Sequence, residues 1–388
     1  MLKRDYGAEL AVSTPRQRWV QLARRLDSDD RAALASWAAA YAALFVLAWA
    51  AAWAFRQTTG HAPLTGGFQH WDAGWLQHIA QHGYFGPGLS PASEGFFPGY
   101  PLTLAAVHLV LRSWVLPELI VSAVAGGCAV VSLARLGASR AVLYMLATPA
   151  AVFLLVGYSE SLFLALAIPA WSAARRRRWL RAALLAALAG LVRPDALFLI
   201  PALAVMALTG EETGSRSRRW AGRLRNAATV LGALAGPAAY ICYLRATTGS
   251  WAAWFHAQQA GWDLHLTTPG QALRLTWWAA FEHPFSAGYA FEFQLELAAM
   301  AAMLLAVICF AIGRRWPEAT YCGLAVIALG TSTWYQSCPR TLLVLFPVWI
   351  ALARLDIQWR WLRYVYGAVS GPLAVVIALL FLSGRWAG

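Results

Sequence analysis

Apolar residues run in long stretches along this chain, separated by short polar turns. The stretches near 33–55, 227–246, 291–312, 317–335 and 364–384 approach the roughly 20 residues that carry a helix across hydrocarbon. They do not alternate polar and apolar positions as a barrel strand must. The pattern predicts an all-α polytopic membrane protein, a bundle of about 10–11 transmembrane helices around an outward-facing cavity. Residues 1–32 read as a basic cytoplasmic tail and 33–388 as one transmembrane domain. Segments 56–97 and 247–290 are its two extracytoplasmic loops.

The polar breaks set the expected topology. Arg175-Arg176-Arg177-Arg178, the group Arg216, Arg218, Arg219, Arg223 and Arg225, Arg314-Arg315, and Arg354 with Arg360 and Arg363 are expected on the cytoplasmic side. The turns between them then share the opposite side: Tyr158-Ser159-Glu160, Arg193-Pro194-Asp195, the 247–290 segment and Trp334 to Arg340. Two of these turns join arms too short to span, 141–157 with 161–174 and 179–192 with 197–209. At 1.5 Å per residue such arms fall short of the roughly 30 Å of hydrocarbon, so their tips end in a cavity. A single kinked span at Pro194 is the alternative. Stretch 98–112 leaves the number of crossings uneven unless it lies partly in the outer interface.

Composition changes little. The chain is 60% hydrophobic and 13% charged, about half the charge of a soluble domain. Its net charge of +13 is the arginine of the inner turns and gives no reason to expect nucleic acid. Its arginine and alanine bias reads as a GC-rich bacterial genome, which places the protein in the cell membrane. Four of the five cysteines lie within apolar runs, where a small buried thiol suffices.

The candidate chemistry begins in the first loop, FQHWDAGWLQHIAQHGYFGPGLSPASEGFFPGYP, residues 68–101. WDAGWLQHIAQHGY predicts a short interfacial helix. Asp72, between Trp71 and Trp75, is either its N-cap or a partly desolvated general base. Glu160 opens an apolar helix, either favouring its first turn or serving the reaction. Arg193 and Asp195 form an internal ion pair, or Arg193 clamps a phosphate. Arg340 stands on the outer side, where a bound anion would explain a basic residue. Two arginines and two carboxylates around one cavity suggest a site for a phosphorylated lipid. His70, His78 and His82 weigh hydrogen bonding at the interface against a metal, and no H-E-x-x-H pattern supports the metal. Gln258, with His256, Gln259, Trp262 and Asp263, suits a hydroxyl-rich ligand. Tyr158 and Glu94 complete the candidate substrate-binding set.

WDAGWLQHIAQHGY, EGFFPGYPL and YSESLF, with R-x-D-A at Arg193 to Ala196 and PR-x-LL-x-x-FP at 339–347, resemble the GPI mannosyltransferase II (PIG-V-like) family of GT-C glycosyltransferases. The family has R-x-N-G where this chain has Arg193-Pro194-Asp195-Ala196. The resemblance implies a GT-C bundle and an inverting enzyme that uses a polyprenyl-phosphate mannose donor. The acceptor is a glycan, glycolipid or protein hydroxyl, and the bond formed is α-mannosidic. It further implies Asp72 as base, Arg193 and Arg340 on the donor phosphate, and Glu160 orienting sugar or acceptor. No metal, cofactor or nucleic acid is expected, and the protein is expected to act as a monomer. A flippase for lipid-linked sugars is the alternative from another class, and another polyprenyl-phosphate sugar is the alternative within this one.

Overall fold

Helices account for nearly all the regular structure in the computed structural model, which describes residues 26–54, 66–88, 90–210 and 216–385. Most of the expected basic tail and the start of the first loop, Arg56 included, lie outside the described residues. Five described helices are long and apolar enough to cross a membrane: Ser28–Ala54, Val115–Gly137, Ser217–Thr248, Ala287–Ile312 and Leu362–Leu382. Two bent pairs raise this to seven. The expected 10–11 is reached only by counting short apolar arms. Large apolar side chains such as Trp49 and Trp53 on the first helix face outward, as lipid contact requires.

α1 (Ser28–Ala54) is followed by α2 (Asp72–His82), α3 (Gly99–Leu111) and α4 (Val115–Gly137). α1 and α4 are antiparallel. Trp37 Nε1 donates to the Ala123 carbonyl at 3.0 Å, and Asp30 near the start of α1 meets Arg135 near the end of α4 at 2.6 Å. α4 therefore returns to the end from which α1 departs. α3 lies between them and has no crossing to make. This resolves the uneven count and places 99–111 at the far end of the bundle.

Two hairpins enter from the arginine-rich end and stop short. The first runs through α5 (Ser139–Leu146) and α6 (Val152–Leu155), turns at 156–159 and returns as α7 (Glu160–Arg175). The bend across its tip is 93°. Its feet share one end, since Ser139 donates to Asp29 and Arg176 lines a hollow with Asp27, Asp30 and Arg135. The second is α8 (Trp179–Val192), the Arg193-Pro194-Asp195 turn and α9 (Ala196–Thr209). Each arm has 14 residues, about 21 Å.

α10 (Arg216–Leu231) and α11 (Ala235–Thr248) form one span. The 247–290 segment, expected as a loop, folds into α12 (Ala253–Trp262) and α13 (Pro269–Phe281). α14 (Ala287–Ile312) and α15 (Trp316–Gly330) follow. α16 (Cys338–Val344) then bends by 70° into α17 (Phe346–Gln358). α18 (Leu362–Leu382) closes the bundle. Its end reaches the first-loop helix, where Trp71 Nε1 donates to the Arg385 carbonyl at 3.1 Å.

Packing between α11 and α8 is close enough to test. A Cβ at Gly236 would lie 2.1 Å from the Ala187 carbonyl oxygen, a backbone atom that cannot yield, whereas one at Gly270 meets nothing within 4 Å. Gly236→Ala is expected to destabilise by about 1–3 kcal/mol or more, and Gly270→Ala to stay within about 0.5 kcal/mol of the parent. Thermal unfolding of the purified protein in detergent checks both. Equal melting temperatures for the two variants would refute the packing.

Candidate active site

Asp72 is the first residue of α2 rather than its cap. The cap position is Trp71, at φ 57°, and no side chain closes the helix end. A tryptophan in the left-handed region is strained, and such strain collects at functional sites. The Asp72 carboxylate reaches instead to Arg340 Nη1, which donates to Oδ2 at 2.6 Å.

Arg340 is held from two further directions. Its Nε donates to Glu160 Oε1 at 2.8 Å, and its guanidinium lies over the rings of Tyr158 (4.8 Å) and Phe153 (5.0 Å). Tyr158 and Phe153 pack on each other and on Phe381 of α18. The same Glu160 oxygen lies 2.8 Å from Arg193 Nη1. Arg193 Nε donates to Asp195 Oδ2 at 2.8 Å, and Nη1 to Ser159 Oγ at 3.3 Å. The internal pair read from the sequence is therefore present, and it extends into an alternating chain of Asp72, Arg340, Glu160, Arg193 and Asp195.

The sequence explains why these groups meet. Asp72 opens the first-loop helix, Glu160 opens the returning arm of one hairpin, Arg193 and Asp195 flank the tip of the other, and Arg340 sits in the first turn of α16. Each is the polar end of an otherwise apolar segment. An intramembrane charge is costly unless it finds a partner. Glu160 is fully buried and the Arg340 side chain is 10% exposed.

A cavity of about 1,160 Å³ opens beside the chain. That exceeds the usual volume for one small ligand. Asp72, Arg193, Asp195 and Arg340 line it. Beyond them its lining is of two kinds. Leu275 and Trp278 of α13, Phe285 and Phe293, and Leu329 of α15 are apolar. Trp75, Phe96, Gln258 and Trp262 are aromatic or amide. Phe96 there stacks on Trp75 at 6.5 Å and meets Trp262 edge-on at 5.4 Å.

Trp71, Gln259 and Asp263 also line the cavity, whereas Tyr158, His70, His78, His82, Glu94 and His256 lie apart from its wall. Tyr158 supports Arg340 from behind and donates to the His70 carbonyl at 3.3 Å. The His70 ring packs near Phe381 and Gly384, and burial lowers its pKa. His78 and His82 are together, rings 4.8 Å apart, but His78 Nε2 contacts the Pro87 carbonyl. Among the described residues no group of three or more His, Cys, Asp or Glu side chains could hold a metal ion. Glu94 feels His256 of α12, and its backbone carbonyl accepts from the Tyr240 hydroxyl at 2.8 Å.

Two acidic residues in α14 were not singled out from the sequence. Glu296 is buried and accepts the Ser337 and Cys338 backbone N–H groups at 2.8 and 2.7 Å. Glu292, one turn earlier, is also buried. The signal was present: two carboxylates at i, i+4 in an apolar span are expensive and call for a purpose.

The fold and site define a class: an all-α polytopic membrane protein whose buried carboxylate and guanidinium groups converge beside a large cavity. No family model matches the chain. Over a 154-residue alignment it is 36% identical to the mouse protein named GPI alpha-1,6-mannosyltransferase 2, covering 34% of this chain and 30% of the relative. The rat and human proteins of that name match at the same identity and coverage. The chain thus spans less than a third of the length of the curated relatives it matches. Over that stretch the similarity agrees with the resemblance carried by the motifs.

Glu94 provides a pH test outside the spanning helices. Burial raises its pKa above the ordinary 4.5, and His256 pulls it the other way. Folding therefore favours the protonated acid. Below the ordinary pKa the group costs nothing; as pH rises through the raised value the folded state loses stability relative to the unfolded. Glu94→Gln is expected to melt with the parent near pH 4 and above it at pH 7. A melting-temperature difference independent of pH would contradict this.

Proposed function

We propose that this protein is an inverting mannosyltransferase that moves mannose from a polyprenyl-phosphate donor to an acceptor hydroxyl on the extracytoplasmic face of the bacterial membrane. The observation that carries the reading is the bridge of Arg340 between Asp72 and Glu160, with Arg340 and Asp72 both on the wall of a cavity that also carries apolar, aromatic and amide side chains. The names of the relatives, mannosyltransferases, support the sugar.

The apolar lining takes the prenyl chain, since hydrocarbon loses nothing against leucine and aromatic walls. The donor phosphate lies at Arg193 and Arg340, whose planar guanidiniums suit phosphate oxygens. Both bind their carboxylates through Nε and Nη1, so the Nη2 groups serve the phosphate. The acceptor sugar lies on the aromatic and amide lining. Apolar C–H faces of a pyranose rest on Trp262 and Phe96, while the Gln258 amide both donates to and accepts from hydroxyls. Trp75, at i+3 from Asp72, lies on the same helix face and leads from this platform to the base.

Asp72 takes the proton of the acceptor hydroxyl as its oxygen bonds to the anomeric carbon. The bond from that carbon to the phosphate oxygen breaks, and the electron pair leaves with the polyprenyl phosphate. Attack opposite the leaving group inverts a β-linked donor into an α product. Arg193 and Arg340 receive the charge that grows on the phosphate. Glu160 holds both arginines in place.

Asp72→Asn, whose amide oxygen can still accept from Arg340, should express and remain folded while transfer of radiolabelled mannose from polyprenyl-phosphate mannose falls by about 10²–10⁴-fold. Full retention of transfer would rule out Asp72 as base, and movement of labelled lipid between leaflets without product would show a flippase. Trp262→Ala should raise the acceptor KM about tenfold with kcat little changed, the mark of lost ground-state binding. An unchanged KM would put the acceptor elsewhere.

A further inference from the structure

α16, which carries Arg340, is only seven residues long. A helix start leaves backbone N–H groups without intrahelical acceptors. The usual remedy fails here. The cap residue Ser337 is itself left-handed, at φ 58°, and its side chain makes no capping hydrogen bond. Pro339 has no N–H to satisfy. Two of the remaining donors are met from a distant helix. Glu296 of α14 accepts Ser337 N–H on Oε1 at 2.8 Å and Cys338 N–H on Oε2 at 2.7 Å.

One contact would allow α16 to pivot; two, one per oxygen, fix both its position and its tilt. Arg340 follows Cys338 by two residues. It must meet Asp72 at 2.6 Å and Glu160 at 2.8 Å at the same time, so a small shift of the helix breaks one contact or the other. Glu296 does not line the cavity and reaches the site only through α16. We propose that Glu296 is a positioning residue that sets the Arg340 guanidinium for the lipid phosphate. The proposal rests on the reading of Arg340 as a phosphate ligand.

The test is a double-mutant cycle on the full-length protein in lipid nanodiscs, with farnesyl phosphate as the probe and its equilibrium dissociation constant as the readout. Arg340→Ala is expected to weaken binding at least about tenfold. Glu296→Gln keeps one acceptor oxygen but turns an NH₂ group towards the second N–H. It should weaken binding about fivefold in the parent and less than about twofold in the Arg340→Ala background, because coupled residues are not additive. Glu296→Asp, with both oxygens one methylene short, should fall between the parent and Glu296→Gln. Should Glu296→Gln fail to fold, judged by gel filtration and thermal unfolding, Glu296→Asp replaces it in the cycle. A purely structural Glu296 would instead weaken binding equally in both backgrounds, and that result, or no effect in the parent, overturns the proposal. If Arg340→Ala binds the probe as well as the parent does, the phosphate role of Arg340 fails and the positioning role with it. That failure is recognisable because it needs no Glu296 variant.

Discussion

One guanidinium holds four segments of this protein in register. Arg340 bonds to the first-loop helix through Asp72 and to the first hairpin through Glu160, and Glu160 passes the link to the second hairpin through Arg193. Charges removed from water lose several kcal/mol each, and only close geometry with further hydrogen bonds recovers this. The groups here are nearly all withdrawn from solvent, so none can leave its partners cheaply. The chain of ion pairs makes no case for net stability. It specifies one relative placement of helices that apolar packing alone would let slide.

The short hairpins are what bring such groups to one depth. A full span would carry Glu160 and Arg193 to the membrane surface and into water. Arms of 14 to 16 residues, about 21–24 Å, stop before that, and their tips are irregular backbone that needs other partners. The Val156 carbonyl at one tip accepts from Ser122 of α4 at 2.6 Å, and the Arg193 N–H at the other returns to the Ala189 carbonyl at 3.0 Å. Non-helical backbone at such depth is tolerated where it is buried in protein or borders a cavity. Both conditions hold here.

How much of this was legible follows from what charge does in an apolar chain. Asp72, Glu160, Arg193 and Arg340 stood out because each is costly where it lies, and the arms around two of them were too short to span. Glu296 is just as costly, yet it sits inside a comfortable span and not at a turn, so spacing drew no eye to it. The histidines carried no such cost, and His78 makes the kind of interfacial contact expected of it, with the Pro87 carbonyl. His78 lies near Asp72 in sequence, but six residues along a helix turn it to a different face, whereas Trp75 at three residues shares one. The fold of 247–290 was hidden for a different reason: α12 and α13 are short, partly polar helices that owe their form to packing on the 91–96 turn and on α14, where Trp254 Nε1 donates to the Gly95 carbonyl at 3.2 Å. Such contacts join residues far apart in sequence, and no local pattern reports them.

The placement of Arg340 also bears on the proposed reaction through its charge balance. The three acids and two arginines of the chain carry a net charge of minus one, which by itself disfavours an anionic donor. The apolar lining of the cavity supplies the binding that the charge withholds. During transfer the two anions trade places: Asp72 loses its charge by taking the acceptor proton, and the phosphate gains one as its ester bond breaks. The total charge around the arginines therefore does not change. What changes is where the negative charge lies, and a guanidinium between base and leaving group can follow it without leaving its site. That exchange favours the transition state only if Arg340 is already in place when the bond begins to break, because donors that must reorganise give back much of what they stabilise. A short helix held at its start by a buried carboxylate meets that condition.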